Sequence, residues 1–232
     1  MRILSIDTTS MLGSVALSED ERLVAQEQQG VPGTHSERLM VSIDHLLSLA
    51  QWQRGELDAV AVAIGPGSFT GLRIGLGTAK GIALALGVPV AGVSSLASLA
   101  LNGRGFAGTV VPLIDARRGE IYAAAIKVPQ RGRTVFVLRE CVLPPLDLIK
   151  ALKRIKGNLL LVGDGAIEYG ARILKAVGAR AEIAAGTSSL PQAVNLALLS
   201  LPRFERGKGD DIASLVPNYI RHSDAEIGFR GK

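Results

Sequence analysis

The stretch I-L-S-I-D-T-T-S-M-L-G-S-V-A-L-S-E-D-E-R-L-V-A-Q, Ile3 to Gln26, holds three short apolar runs separated by two breaks. Ile3–Ile6, Gly13–Leu17 and Leu23–Gln26 have the length of strands. The first break, T-T-S-M-L, carries small hydroxyl residues, and the second, S-E-D-E, is a charged tight turn. Both are hairpin connections, so the pattern predicts an antiparallel three-strand meander. The opening M-R-I-L-S-I-D places an acid after only a few apolar residues, which suits a strand and not a signal peptide.

Downstream, the period changes from two to 3.6. A helix is expected from about Ser36 to Leu49, with Thr34 as N-cap and Glu37 at capping-box spacing. Leu39, Ile43, Leu46, Leu47 and Ala50 fall on one face of it. D-A-V-A-V-A-I, Asp58 to Ile64, is a buried strand ending at G-P-G. A second helix runs from near Gly71 to Leu86, where Gly87 ends it and Pro89 prevents its return. A strand over Val88–Val93 and a short helix over Ser95–Leu101 follow.

After N-G-R-G-F-A-G, Asn102 to Gly108, the plan repeats. Strands are expected at Thr109–Ile114, Ile121–Val128 and Val135–Cys141, then helix Leu146–Ile155, strand Leu159–Val162, helix Ile167–Val177 and strand Ala181–Ile183. A last helix around Gln192–Leu199 and a tail to Lys232 close the chain. Two copies of β-β-β-α-β-α describe an α/β, two-lobed actin/hexokinase-like (ASKHA) fold, each lobe a mixed sheet flanked by helices. The lobes are expected at residues 1–103 and 104–203, with the tail 204–232 crossing back to complete the first.

Composition narrows the function classes. Of 232 residues, 47% are hydrophobic and 4% aromatic, so the core is built from Ala, Val, Leu and Ile, and no aromatic platform for single-stranded nucleic acid is available. The single cysteine, Cys141, excludes an internal disulfide and a cysteine metal cluster and suits a reducing cytoplasm. The weakly charged stretch Ile74–Gly103 is broken by Gly87, Pro89 and Gly92, short of the roughly 20 apolar residues a membrane helix needs. The net charge of +5 favours an acidic partner such as tRNA without selecting one.

Several motifs carry two readings. In I-D-T-T-S, Asp7 sits at a strand end where two-lobed phosphotransferases hold a metal-bound water, with Thr8, Thr9 and Ser10 toward phosphates. The alternative is a turn acid whose neighbours satisfy local backbone. G-P-G-S-F-T-G-L-R-I-G, Gly65 to Gly75, offers Gly67, Ser68 and a helix start to an anion. It lacks the Gly-Lys-Ser/Thr of a Walker loop and the third glycine of a dinucleotide fingerprint. Gly71, Gly75 and Ala79, with Gly77 and Gly81 offset, leave a helix face without side chains, suited to a partner helix or to the chain's own sheet. In D-A-R-R-G-E-I-Y, Asp115 is placed as a second phosphate-side acid beside Arg117 and Arg118; a solvated hairpin is the other reading. In V-G-D-G-A, Asp164 interrupts the Gly-Gly pair with which related folds hold adenosine. His35, His45 and His222 form no i, i+4 metal pair.

I-D-T-T-S, H-S-E-R-L-M from His35, G-P-G-S-F-T-G-L-R-I-G with A-K-G-I-A from Ala79, D-A-R-R-G-E-I-Y and P-N-Y-I-R from Pro217 together resemble the TsaB (YeaZ) family, in its order and over nearly the whole chain. The resemblance implies a non-catalytic relative of TsaD, with Ser95 and Leu99 standing where TsaD carries the two histidines of its metal-binding H-x-x-x-H. It further implies a heterodimer with TsaD through the first-lobe helices, self-pairing through the same helices when alone, and an ATPase, TsaE, that joins the pair. The complex would move threonylcarbamoyl from threonylcarbamoyl-AMP to N6 of the adenosine beside the anticodon, in tRNAs reading codons that begin with A. The interface residues so implied are Leu39, Ile43, Leu46, Leu47, Gly71, Arg73, Ile74, Gly75, Thr78, Ala79 and Ile82. No cofactor is required, with weak ATP or ADP binding expected at the partner interface. The competing readings are a small ASKHA-type phosphotransferase and a glycoprotease-like peptidase.

Overall fold

A computed structural model describes residues 1–30, 35–130 and 132–220. The opening meander is present: β1 (Arg2–Asp7) pairs antiparallel with β2 (Gly13–Glu19), and β2 with β3 (Arg22–Gln29). On its other edge β1 pairs in parallel with β4 (Ala59–Gly65), which pairs in parallel with β5 (Val90–Ser94), giving the order β3-β2-β1-β4-β5. The second half repeats this topology with β6 (Thr109–Asp115), β7 (Ile121–Lys127), β8 (Val135–Leu143), β9 (Leu159–Val162) and β10 (Ala181–Ile183), in the order β10-β9-β6-β7-β8. The actin/hexokinase-like architecture read from the doubled pattern is therefore the one found.

Strand alternation decides which helices cover which face. In the first sheet Leu4, Ile6, Val15, Leu17, Val60 and Val62 point toward α1 (His35–Ala50) and α2 (Phe69–Leu86). Ile3, Ala59, Ala61, Ala63 and Ala91 point the other way, toward α6 (Val194–Phe204). The second sheet does the same: Val111, Leu113, Ile121, Ala123 and Ala125 meet α4 (Pro145–Arg154) and α5 (Asp164–Val177), while Val110, Ile114, Ala124 and Ile126 meet α3 (Ser95–Ala100). Small alanines on the central strands let these layers approach closely.

Two boundaries move. The third helix of each half packs on the other half's sheet: α3 lies on β6 and β7, and α6 on β1, β4 and β5. The return to the first lobe thus begins at Val194, ten residues before the expected tail, because α6 buries Leu196, Ala197, Leu201 and Phe204 against the first sheet. The described part of the tail also contacts the first lobe. Asp210 forms a β-bridge with Val90 and accepts from the Gly92 N–H at 2.8 Å. Leu215 enters the first core, and the Asn218 N–H donates to the Ile64 carbonyl at 2.6 Å. Thr34, His222 and the tail beyond Ile220 lie outside the described residues. Among those described, no helix is long and apolar enough to cross a membrane.

Helix α2 starts two residues earlier than its glycines suggest, because Ser68 caps it, its Oγ accepting from the Gly71 N–H at 3.2 Å. Gly87, at φ 67°, closes it in the left-handed conformation. The two glycine rows of α2 have opposite environments. A Cβ on Gly71 would overlap the Thr8 carbonyl and one on Gly75 the Thr8 hydroxyl, whereas Gly77 and Gly81 have open space. Gly75→Ala is therefore expected to destabilise the chain by about 1–3 kcal/mol through overpacking. Gly77→Ala should stabilise it by roughly 0.5–1 kcal/mol through helix propensity. Urea unfolding of the two variants measures both signs.

Candidate functional site

The C-terminal ends of β1 and β6 face one another across the boundary between the halves. Between them lies a cavity of about 110 Å³ lined by Asp7, Thr9, Ser95, Leu99, Asp164 and Ser189 among others. Asp7 is 2% exposed and is held by its own turn: Thr9 donates to Oδ1 through its N–H at 3.0 Å and its hydroxyl at 2.6 Å. Burial raises the Asp7 pKa, and the two Thr9 bonds offset only part of the effect.

The surrounding loops are closed on one another. The Thr8 hydroxyl donates to the Gly71 carbonyl at 2.7 Å, the Ser10 hydroxyl to the Leu12 carbonyl at 2.8 Å, and the Ser68 N–H to the Thr9 carbonyl at 2.7 Å. A Cβ at Gly67 would collide with the Thr9 backbone. The N–H groups of Thr9, Ser68 and Gly71, which a phosphate cradle would aim at its ligand, are already engaged.

In the second half the acid that lines the cavity is Asp164, not the expected Asp115. The Asp115 and Gly165 N–H groups donate to Asp164 Oδ1 at 3.2 and 2.8 Å. Burial raises the Asp164 pKa against those bonds. Asp115 instead holds the hairpin: it accepts from the Arg117 N–H at 2.9 Å and from the Tyr169 hydroxyl at 3.3 Å, and pairs with the Arg117 guanidinium at 3.3 Å. Arg117 and Arg118 sit at φ 61° and 56°, so the hairpin is a tight left-handed turn. A third raised carboxyl, Glu140 on β8, is half-buried beside Ser94, whose hydroxyl donates to it across the lobe boundary. No local pattern marks Glu140; only the folded chain brings it to Ser94.

Ser95 and Leu99 both line the cavity, and the Ser95 hydroxyl is buried without a hydrogen-bond partner among the described residues. No group of three His, Cys, Asp or Glu able to hold a metal forms among the described residues. His45 contacts Glu27 at the surface at 3.2 Å, far from this centre.

The residues implied for a partner interface divide by burial. Leu39, Ile43, Leu46 and Leu47 are core residues of α1, and Gly71, Gly75 and Ala79 are buried against β1, so none of the seven is presented to a partner. Their apolar spacing belongs to the side of each helix that covers the sheet. Arg73 is exposed, and Ile74, Thr78 and Ile82 are half-buried. Around them stand Gly77 and Gly81 and exposed apolar side chains that the sequence reading passed over: Leu84 at 72%, Val41 at 64%, and Met40. At the start of α2, Phe69 stacks on Tyr219 with centroids 5.4 Å apart. The Arg73 guanidinium lies 3.9 Å over the Phe69 ring and donates to the Tyr219 hydroxyl at 3.3 Å. The glycine-loop motif and the tail motif P-N-Y-I-R thus meet on one surface.

These features define a two-lobed actin/hexokinase-like protein whose interlobe loops are filled by its own side chains. Relatives sharpen the assignment. The family model described as "TsaD: tRNA N6-adenosine threonylcarbamoyltransferase" matches residues 27–229. The tRNA threonylcarbamoyladenosine biosynthesis protein TsaB of Bacillus subtilis is 32% identical, covering 97% of this chain and 96% of that protein. The solved YeaZ from Pseudomonas aeruginosa superposes with a TM-score of 0.77 at 32% identity over 94% of this chain and 99% of that one. At 13% identity and a TM-score of 0.54, the activator of the 2-hydroxyisocaproyl-CoA dehydratase from Clostridium difficile, which covers 91% of this chain and 100% of its own, shares the fold alone. The chain belongs to the TsaB (YeaZ) family.

The raised Asp7 pKa has a defined sign. The unfolded chain ionises this carboxyl first, so Asp7 withdraws stability as pH rises from about 4 through its folded-state value. Asp7→Asn keeps an acceptor for Thr9 and is expected to raise the urea midpoint at pH 8, the advantage vanishing below about pH 4. An advantage equally large at acidic pH would remove ionisation as its cause.

Proposed function

We propose that this chain is a non-catalytic subunit that lends the outer surface of α1 and α2 to TsaD and, with TsaE, supports transfer of threonylcarbamoyl from threonylcarbamoyl-AMP to N6 of the adenosine beside the anticodon, in tRNAs reading codons that begin with A. The observation that carries the reading is the outer side of α2. There two glycines with open space above them, the half-buried Ile74, Thr78 and Ile82, and the exposed Leu84 make a low, apolar strip. Water-exposed apolar side chains on a helix already anchored by its other face favour burial by a second helix. Glycines let the two backbones come close enough for dispersion contacts along the strip.

The interlobe centre supports the non-catalytic half of the reading. Asp7 is occupied by Thr9, the glycine loop is packed on Thr8 and Thr9, and the cavity is lined by Ser95 and Leu99, which the resemblance sets where TsaD has its histidines. Neither a hydroxyl without a base nor a leucine side chain replaces an imidazole ligand. In this reading the chain requires no cofactor, weak ATP or ADP binding belongs to the partner interface, the same strip mediates self-pairing when TsaD is absent, and the complex works on tRNA in the cytoplasm.

Gly77→Leu and Leu84→Glu are expected to leave the monomer folded while lowering affinity for TsaD by about tenfold or more, since each puts bulk or charge into a close apolar contact. Co-purification and isothermal titration with TsaD from the same source measure this. Unchanged affinity in both variants rejects the strip as the interface.

A further inference from the structure

The formal charge is unevenly divided. Residues 104–193 contain 14 Lys and Arg against 7 Asp and Glu, while residues 1–103 contain 6 against 9. The excess positive charge thus belongs to the second lobe, away from the α1–α2 strip.

Part of that charge surrounds an open groove of about 470 Å³ at the end of the second sheet opposite the cleft. Strand β6 begins there at Thr109 and ends at Asp115 beside the interlobe cavity, so the groove and the cavity are separated by the length of a strand, roughly 20 Å. The groove is lined by Lys127 from the end of β7, Val137 and Leu138 from β8, Arg154 from the end of α4, Lys156 beyond it, and Thr109. Lys127, Arg154 and Lys156 are exposed, and none of the three has an ion pair or side-chain hydrogen bond with another described residue. No acid among the described residues lines the groove.

Two further features suit an anion. The Thr109 side chain is 1% exposed, and its hydroxyl has no partner among the described residues. A buried hydroxyl left unpaired is costly, and Thr109 belongs to the lining of the groove. The carbonyls at the end of α4 would repel an anion through the helix dipole. Here Arg180 covers them, donating to Leu152 and Ile155 at 2.7 Å and to Gly157 at 3.0 Å. The negative end of the helix is neutralised beside the three free cations.

We infer that this groove binds the phosphate backbone of an RNA, holding it by charge and without reading its bases. The inference rests on the proposed role in tRNA modification for the choice of RNA among polyanions. Long, unpaired cations lining a concave surface beside a hydroxyl donor match the groups that position nucleic-acid backbones. The apolar lining, Val137, Leu138, Ala151 and Ile155, is aliphatic and offers no aromatic ring for a base to stack on.

The test titrates an unmodified tRNA transcript against the chain co-purified with TsaD, and in parallel against the isolated full chain, over a range of salt concentrations. Arg154→Glu with Lys156→Glu is expected to weaken binding on the order of tenfold at 0.1 M salt and to flatten the logarithmic salt slope by about 2. Arg206→Glu with Lys208→Glu, an equal change of charge on the tail, should leave affinity within about twofold. Loss of the same size in both pairs, or no loss in the groove pair, overturns the inference. So does intact RNA binding with loss of TsaD or TsaE from the groove variant, which would make the groove a protein-docking site. If the wild-type chain does not pair with TsaD, the proposed function falls, while titration of the isolated chain still decides the groove.

Discussion

The rest of the first lobe depends on the contact between the Thr8–Thr9 turn and the glycines of the following β4–α2 segment. Gly67, Gly71 and Gly75 each lie where a Cβ would enter the space of Thr8 or Thr9. That close approach lets the Thr8 hydroxyl reach the Gly71 carbonyl and the Ser68 N–H reach the Thr9 carbonyl. The bonds pin the start of α2 to the end of β1, which fixes the angle at which α2 lies on the sheet. Everything on the far side of α2, including the open strip and the Phe69–Arg73–Tyr219 cluster, inherits its position from this contact.

The same contact engages the N–H groups that an open phosphate site would use. In a fold of this class the turn after the first strand and the loop before the second helix are the natural places for anion-binding N–H groups. Here those groups are turned on each other, and the carboxylate between them is closed by Thr9. Asp7 and Asp164 line the interlobe cavity and Glu140 meets Ser94 across the lobe boundary, each with its pKa raised by burial. Burial of an acid favours its protonated form, and the hydrogen bonds each of the three accepts offset that cost only partly.

A division of labour between the halves follows from charge and exposure. The first lobe is slightly acidic and presents the apolar strip; the second carries the positive charge and the groove beneath α4. The crossed third helices, α3 on the second sheet and α6 on the first, tie the halves together. Asn195 on α6 donates to the Ser98 carbonyl at 3.0 Å and to Asn102 Oδ1 at 2.7 Å. A surface on one lobe and a groove on the other are thereby held in one frame.

The amino-acid order alone determined the doubled β-β-β-α-β-α plan, because strand and helix periods, Gly87 and the short charged turns are local signals that need no partner element. It also marked G-P-G-S-F-T-G-L-R and I-D-T-T-S as unusual, and left open whether they served a ligand or the chain itself. Tertiary structure shows how the glycines are packed, since a glycine's use depends on what stands over it: Thr8 over Gly75, open space over Gly77. It likewise reassigned the cavity acid from Asp115 to Asp164, turned Leu39, Ile43, Leu46 and Leu47 inward, and paired Glu140 with Ser94. Periodicity reports that one face of a helix is apolar and small; only the packed sheet settles which face is consumed by the core and which remains for another molecule.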